Sequence, residues 1–284
     1  MTDAAQVNAD QLAYWNGAGG ERWVVEHTHT DVMLAPVAEA AIAHAAPRPG
    51  EQVLDIGCGC GWTTLALAEA VAPGRVTGLD ISGPMLAVAE QRAAGRGAVG
   101  WVQADAAAHD FAEDSFDLLF SRFGVMFFGD PVAAFANLRR AARPGARLVF
   151  ACWRGLHENP WMLLPLQAAQ TLVPPLPRPG PEDPGPFAFA DTDRVTRILT
   201  GAGWTPPRFT KLDVTLDIAG GGGVDAAMDH ATRIGAAARL LADQDEAIRQ
   251  AAKQAIRAAL APHATPDGRV GLGGGVWLVD ARNG

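Results

Sequence analysis

Val53–Gly61 reads VLDIGCGCG, and this stretch decides the fold. Its first half is a short apolar run of the kind expected for a strand buried on both faces. Its second half puts glycine at Gly57, Gly59 and Gly61, so the backbone can turn sharply and meet a ligand with no Cβ in the way. Gly61–Val71 then reads as a helix. A strand that passes through a glycine turn into a helix brings a nucleotide-like ligand to a helix start.

Outward from this turn the pattern alternates. Gln52–Ile56, Arg75–Asp80, Val99–Gln103, Phe116–Ser121 and Arg147–Cys152 read as strands. Between them, Ser82 caps a helix with Pro84 in its first turn and a stop at Gly95. Asp130-Pro131 opens another helix and Pro144-Gly145 ends it. Strand and helix in alternation predict a parallel sheet with helices on both faces. Upstream, Asn8–His44 has helical spacing and is broken by Pro47–Gly50. Downstream, Leu156–Ala190 is proline-rich and predicts a short helix over Met162–Leu172 followed by an irregular loop. A helix opening at Asp191 or Thr192 and ending near Gly201–Gly203 comes next. Then follow a strand at Arg208–Ile218, two Ala-rich helices (Val224–Leu241 and Gln244–Leu260) and a closing strand at Gly271–Arg282. Gly220–Gly223 is a turn rather than a phosphate loop, because no Lys-Ser/Thr follows it.

Bulk properties exclude several classes. The 284 residues suit one large domain, and 49% hydrophobic residues supply a sizeable core. A formal net charge of -8 opposes binding to a nucleic acid backbone. Arg139-Arg140 with Arg143 reads as a solvated helix end. No apolar run approaches the roughly 20 residues of a membrane helix. The start, MTDAAQVNADQLAYWNG, lacks the basic and apolar parts of a secretory signal. Three cysteines make no disulfide framework, so a reducing cytoplasm is expected. Cys58 and Cys60 form a C-x-C pair, but only Cys152 remains as a third thiol, so no metal site is expected.

Carboxylates narrow the ligand. Asp55, two residues before the first glycine, can hold the turn or sit near a ligand ammonium. Asp80 ends the next strand, where a carboxylate can accept both ribose hydroxyls. Asp105 follows the third strand and can accept from an adenine amino group, with the Ala106 N–H facing the ring. The turn departs from G-x-G-x-x-G at Cys60-Gly61-Trp62, which argues against a nicotinamide cofactor.

The order VLDIGCGCG, VTGLDIS, QADAAAHDF and FDLLFSRFGVMFF resembles the class I S-adenosylmethionine (SAM)-dependent methyltransferases. It is similar to the bacterial ubiquinone/menaquinone-biosynthesis C-methyltransferase group, over about Tyr14–Cys152. The resemblance implies an α/β, Rossmann-like, doubly wound seven-stranded sheet, mostly parallel with an antiparallel last strand. It implies a single domain with a helical lid over 1–46, a SAM-binding core over 47–152, and a substrate cap insertion with closing strands over 153–284. It also implies that Gly57, Cys58 and Gly59 line the methionine part of SAM. Asp80 would bind ribose, Ile81 and Met85 would flank adenine, and Asp105 and Ala106 would hold its edge. Ser121 and Arg122 would offer backbone groups to the amino-acid end.

Methyl transfer needs alignment and exclusion of water, with a base only where the acceptor must lose a proton. The acceptor is expected beyond the strand ends. Arg122, Phe123 and Met126 lie in the aromatic, thioether-rich run Arg122–Phe128, which suits an apolar or aromatic acceptor. Trp153, Asn159 and Trp161 follow the fifth strand, with His157 among them as a candidate base. Tyr14, Trp15 and Trp23 lie in the lid, and Tyr14, the only tyrosine, is a second catalytic candidate. The expected activity is methylation of a small-molecule O-, N- or C-nucleophile by in-line displacement without metal, releasing S-adenosylhomocysteine. A SAM-binding protein without methyl transfer and a nicotinamide-dependent oxidoreductase stay open as alternatives. Partners beyond the acceptor are expected to be limited to a homodimer mate, if the chain is not a monomer.

Overall fold

The computed structural model describes residues 4–175, 177, 180 and 182–284. Part of the proline-rich loop expected after Leu172 falls on Leu176, Arg178, Pro179 and Pro181, outside the described residues, as do Met1–Asp3. In chain order the elements are α1 (Ala4–Asn16), α2 (Ala18–Ala45), β1 (Gln52–Ile56), α3 (Trp62–Val71), β2 (Arg75–Asp80), α4 (Gly83–Arg92), β3 (Val99–Gln103), β4 (Phe116–Arg122) and α5 (Pro131–Ala141). They continue with β5 (Ala142–Trp153), α6 (Pro160–Gln170), α7 (Thr192–Gly201), β6 (Arg208–Asp217), α8 (Gly223–Arg233), α9 (Ala236–Leu241), α10 (Glu246–Leu260) and β7 (Gly271–Arg282).

The seven strands form one sheet in the order β3-β2-β1-β4-β5-β7-β6. β1 to β5 pair in parallel, and β7 runs antiparallel to both β5 and β6. This is the doubly wound, mostly parallel sheet with an antiparallel last strand that the sequence predicts. Strand order reverses between β1 and β4, and that switch point opens a crevice beyond their C-terminal ends. Val53, Leu54, Ile56, Leu118, Leu119, Phe120 and Leu148–Cys152 are all buried, as central strands covered on both faces require. Phe135 from α5 and Phe189 pack against Phe150 of β5, with ring centroids 5.8 and 6.0 Å away.

Side chains cap the helices where expected. Asp130 accepts from the Ala133 N–H, Asp191 from the N–H groups of Asp193 and Arg194, and Ser82 from that of Met85. Each such cap is worth about 1 kcal/mol.

Three boundaries differ from the sequence reading. The helix expected over Asn8–His44 is two helices broken at Gly17. Asn16 holds the break by donating to the Ile81 carbonyl and accepting from the Gly83 N–H, at 2.9 and 3.0 Å. The helix expected over Val224–Leu241 breaks at Ile234-Gly235, where Gly235 takes φ 93°. β5 begins at Ala142 rather than Arg147. Ala142 pairs with Phe116 before a register shift, and Gly145 bends the strand at φ 79°.

The N-terminal helices are tied to the C-terminal ones. Glu26 of α2 is buried and accepts from Arg233 (2.9 Å) at the end of α8 and from His230 (3.2 Å). The hydrogen bonds from Arg233 and His230 outweigh burial and hold its carboxyl below the usual range. Among the described residues no helix is long and apolar enough to cross a membrane.

Candidate functional site

A cavity of about 510 Å³ opens at the switch point. Its floor is the glycine turn, where Gly57, Gly59 and Gly61 take φ values of 67°, 56° and 81°. A Cβ on Gly57 would stand 2.6 Å from the Gly124 Cα, so the β1 and β4 turns pass each other only as bare backbone. Ser121, buried at the end of β4, locks the same crossing. Its hydroxyl donates to the Ile56 carbonyl (2.7 Å) and accepts from the Gly124 N–H (3.1 Å).

Asp80 organises the turn. One carboxylate oxygen accepts from the Gly59 N–H and the other from the Ser82 N–H, both at 2.8 Å. Burial raises its pKa despite these bonds. Asp80, Ile81, Met85, Asp105 and Ala106 all line one lobe of the cavity. Asp105 accepts from the Ala107 N–H (2.8 Å) and from Asn8 of α1 (3.2 Å), so the lid helix reaches this lobe.

Asp55 lies behind the turn, fully buried. One of its oxygens accepts from Thr63 (2.7 Å) and Thr64 (2.6 Å). Burial pushes its carboxyl up to about 6. Its other oxygen has no hydrogen-bond partner, and neither does Nη1 of Arg122 or the hydroxyl of Thr30. Burial lowers the Arg122 pKa, while the nearby carboxylates of Asp31 and Asp55 oppose that shift. Asp31 is bound to Arg92 at 2.7 Å. Buried polar atoms are ordinarily paired. Orphans of both signs at one end of a cavity suit a ligand carrying an ammonium and a carboxylate together, as the methionine part of SAM does. The residues present therefore fit the cofactor expected from the sequence.

The second lobe is aromatic. Phe123, a non-glycine residue at φ 67°, stacks on Trp153 with centroids 4.1 Å apart and planes 12° apart. Trp161 continues the row at 5.2 Å from Trp153. Trp15 stands edge-on to Phe127 (5.4 Å) and tilted to Trp23 (6.3 Å). Met126 and Met162 fill between them along the wall.

The structure brings most of the sequence candidates to the cavity: Tyr14, Trp15, Trp23, Gly57, Cys58, Gly59, Asp80, Ile81, Met85, Asp105, Ala106, Arg122, Phe123, Met126, Trp153 and Trp161 line it. Asp55 and Ser121 sit directly behind it, shaping the turn. Two candidates stand apart from the wall. The His157 side chain is 83% exposed. Asn159 is fully buried between chain segments, donating to the carbonyls of Arg154, Gly155 and Gly275 and accepting from the Gly275 N–H. Asn8, Thr30, Asp31 and Arg92 were not legible beforehand, because Asn8, Thr30 and Asp31 come to the site only when the lid folds over it, and Arg92 of α4 meets Asp31 and the Cys60 carbonyl only there.

Cys58 and Cys60 are buried, and burial raises both thiols, that of Cys60 to about 12. Neither supplies a thiolate near neutral pH. Among the described residues, Glu26, His29 and His230 do gather ligand atoms within 4.8 Å. Their geometry suits a tie between helices better than an ion. The imidazoles stack at 4.2 Å and 6°, so their in-plane lone pairs run parallel and share no focus, and Arg233 already occupies Glu26.

Comparison with known proteins agrees with this geometry. Residues 54–150 match the family model described as a methyltransferase domain. That stretch is therefore a methyltransferase domain, and SAM is the cofactor such domains use. The chain is 34% identical to the ubiquinone/menaquinone biosynthesis C-methyltransferase UbiE of Bdellovibrio bacteriovorus, over 38% of this chain and 46% of that protein. It is 42% identical to the demethylmenaquinone methyltransferase of Lactiplantibacillus plantarum, over 34% of this chain and 43% of that protein. The match thus spans under half the length of these relatives. Among solved structures, a methyltransferase from Bacillus halodurans superposes with a TM-score of 0.55 at 16% identity. That superposition covers 87% of this chain and 98% of the other, and it shows the shared fold.

Proposed function

We propose that this chain transfers a methyl group from SAM to a small apolar or aromatic acceptor, by in-line displacement and without a metal. One observation carries the reading: a single cavity joins the glycine turn, with Asp80 and Asp105, to the aromatic lobe of Phe123, Trp153 and Trp161. The quinone-type names of the similar proteins support a flat apolar acceptor.

Bound SAM supplies an electrophilic methyl on a sulfonium. The chain does the rest. Asp80 and Asp105 hold the adenosine part. Arg122, on the cavity wall, meets the carboxylate of the amino-acid part, and Asp55, buried behind the turn, favours its ammonium through the field of its charge. The ring faces of the aromatic lobe would stabilise positive charge beside them and exclude water. The stacked pair of Phe123 and Trp153 offers a flat wall against which the acceptor lies and which fixes its line of approach, where most of the acceleration arises. Ser121 and Arg122 close β4, at the place where metal-dependent catechol-type enzymes carry acidic ligands. Tyr14 is among the lining residues, and we take it as the side chain that meets an acceptor proton. His157, on the outside, serves no step here. The 153–284 region forms the acceptor wall through α6, α8 and α9. We take the enzyme to act in the cytoplasm.

Calorimetric titration with SAM, S-adenosylhomocysteine and NADH tests the cofactor half. Binding of the first two and not of NADH is expected, and NADH binding alone would sink the reading. Incubation with SAM and a quinol-type acceptor tests the transfer half, read as S-adenosylhomocysteine released only when both are present.

A further inference from the structure

The cavity is asymmetric in charge. Its acidic lining residues, Asp31, Asp80 and Asp105, all lie at the cofactor end and already have partners. Three arginines, Arg22, Arg233 and Arg239, line the same cavity. Arg233 is held by Glu26. Arg22 and Arg239 are in no ion pair among the described residues. The only side-chain hydrogen bond of Arg22 runs from Nε to the Ala18 carbonyl at 2.9 Å, which leaves its two terminal nitrogens free. Arg22 lies one helical turn before Glu26 on α2. Glu26 grips Arg233 at the end of α8, and Arg239 follows in α9. Arg22 and Arg239 therefore lie on the two elements, α2 and α9, that flank the Glu26–Arg233 contact, and both line the cavity. In a chain of net charge -8 such a pair runs against the prevailing field.

A neutral quinone-like acceptor would gain nothing from two unpaired guanidinium groups. A carboxylate or phosphate would take forked, charge-assisted hydrogen bonds from them. We infer that the acceptor is a planar apolar molecule bearing one anionic group, which Arg22 and Arg239 receive while the aromatic body lies against the stacked rings of Phe123 and Trp153. This rests on the methyltransferase reading of the cavity and narrows its substrate class.

The test uses 2-naphthoate, 2-naphthyl phosphate and uncharged 2-naphthamide, titrated into the full chain both free and saturated with S-adenosylhomocysteine. One or both anions should bind about tenfold or more tighter than the amide, the equivalent of one net charge-assisted contact. The tighter anion identifies carboxylate or phosphate as the natural group. The preference should shrink with added salt. It should vanish in the double variant Arg22→Gln, Arg239→Gln, which removes one half-buried and one exposed guanidinium with no ion-pair partner among the described residues and leaves folding and S-adenosylhomocysteine affinity unchanged. Equal affinity for all three probes, binding of none, or a preference that survives the double variant overturns the inference. Anion preference without S-adenosylhomocysteine binding counts against the methyltransferase reading alone. S-adenosylhomocysteine binding without anion preference counts against the acceptor class alone.

Discussion

At the scale of single residues, Asp55 shows how a site can be prepared at the expense of the empty fold. Its carboxyl is raised to about 6 by burial, from an ordinary 3.8. Above pH 6 the folded chain must keep a charge that the unfolded chain carries at no such penalty, so the group lowers stability. As pH falls from about 6 toward 4, the folded form takes up the proton first and the penalty fades. Asp55→Asn should raise the stability of the ligand-free chain at pH 7 by on the order of 2 kcal/mol. The amide oxygen can still accept from Thr63 and Thr64. The same change should weaken SAM by about tenfold, from loss of a charge near the ligand ammonium. Urea unfolding and calorimetry on one preparation read both effects, and a variant that gains stability while keeping full SAM affinity would remove Asp55 from the binding set. The glycines, Asp80 and Asp105 were legible because strand-turn spacing puts them at the sheet edge whatever surrounds them. The buried state of the Arg122 side chain was not. The carboxylates whose field it feels, Asp31 and Asp55, are far away in sequence, and no local pattern signals that they come near.

At the scale of elements, the contact between α2 and α8 decides how firmly the lid is held. His230 is buried against Glu26 and stacked on His29, and burial together with the neighbouring His29 drops its pKa from 6.5 to about 4. As pH falls through 6.5 the unfolded chain binds the proton first, so the contribution of this group to stability is lost progressively down to about pH 4. Asp55 moves stability the other way over part of that window, and the two partly cancel in the unaltered protein. His230→Gln, which keeps a hydrogen-bonding side chain beside Glu26, should make stability fall less steeply between pH 7 and about pH 4.5. Denaturant unfolding across that range is the measurement, and an unchanged slope would mean His230 is protonated alike in both states. Elements were legible where burial is complete: β1, β4 and β5 carry unbroken apolar runs because helices cover both faces. The break at Gly17 and the bend at Ile234-Gly235 escaped, since α1 and α9 turn to meet partners from other parts of the chain. Asn16 reaching Ile81 and Gly83 is the clearest case.

At the scale of the whole molecule, the ligand acts as a missing piece of core. The lid helices, the glycine turn and the α8–α9 bend all line the one cavity, so filling it should stabilise them together. At a hundredfold excess over its dissociation constant, S-adenosylhomocysteine should add about 2.7 kcal/mol, which raises the melting temperature by about 5 °C or more. Dialysis should reverse the shift. Four of the eight tryptophans, Trp15, Trp23, Trp153 and Trp161, line the cavity, so intrinsic fluorescence should change in step with the melting temperature. A thermal shift with silent tryptophans would place the ligand elsewhere.

The sheet order has a consequence for synthesis. β7 is the last strand to be made, yet it lies between β5 and β6. While the ribosome is still adding α8 to α10, β5 has an open side and β6 has no neighbour to pair with. A nascent chain in that interval exposes two strand edges whose backbone N–H and C=O groups are unpaired and can pair with a passing strand. The chain cannot finish its sheet as it emerges. It has to wait for Gly271–Arg282 and then thread that segment into a gap held open since β5, which makes it a natural client for a chaperone that shields strand edges.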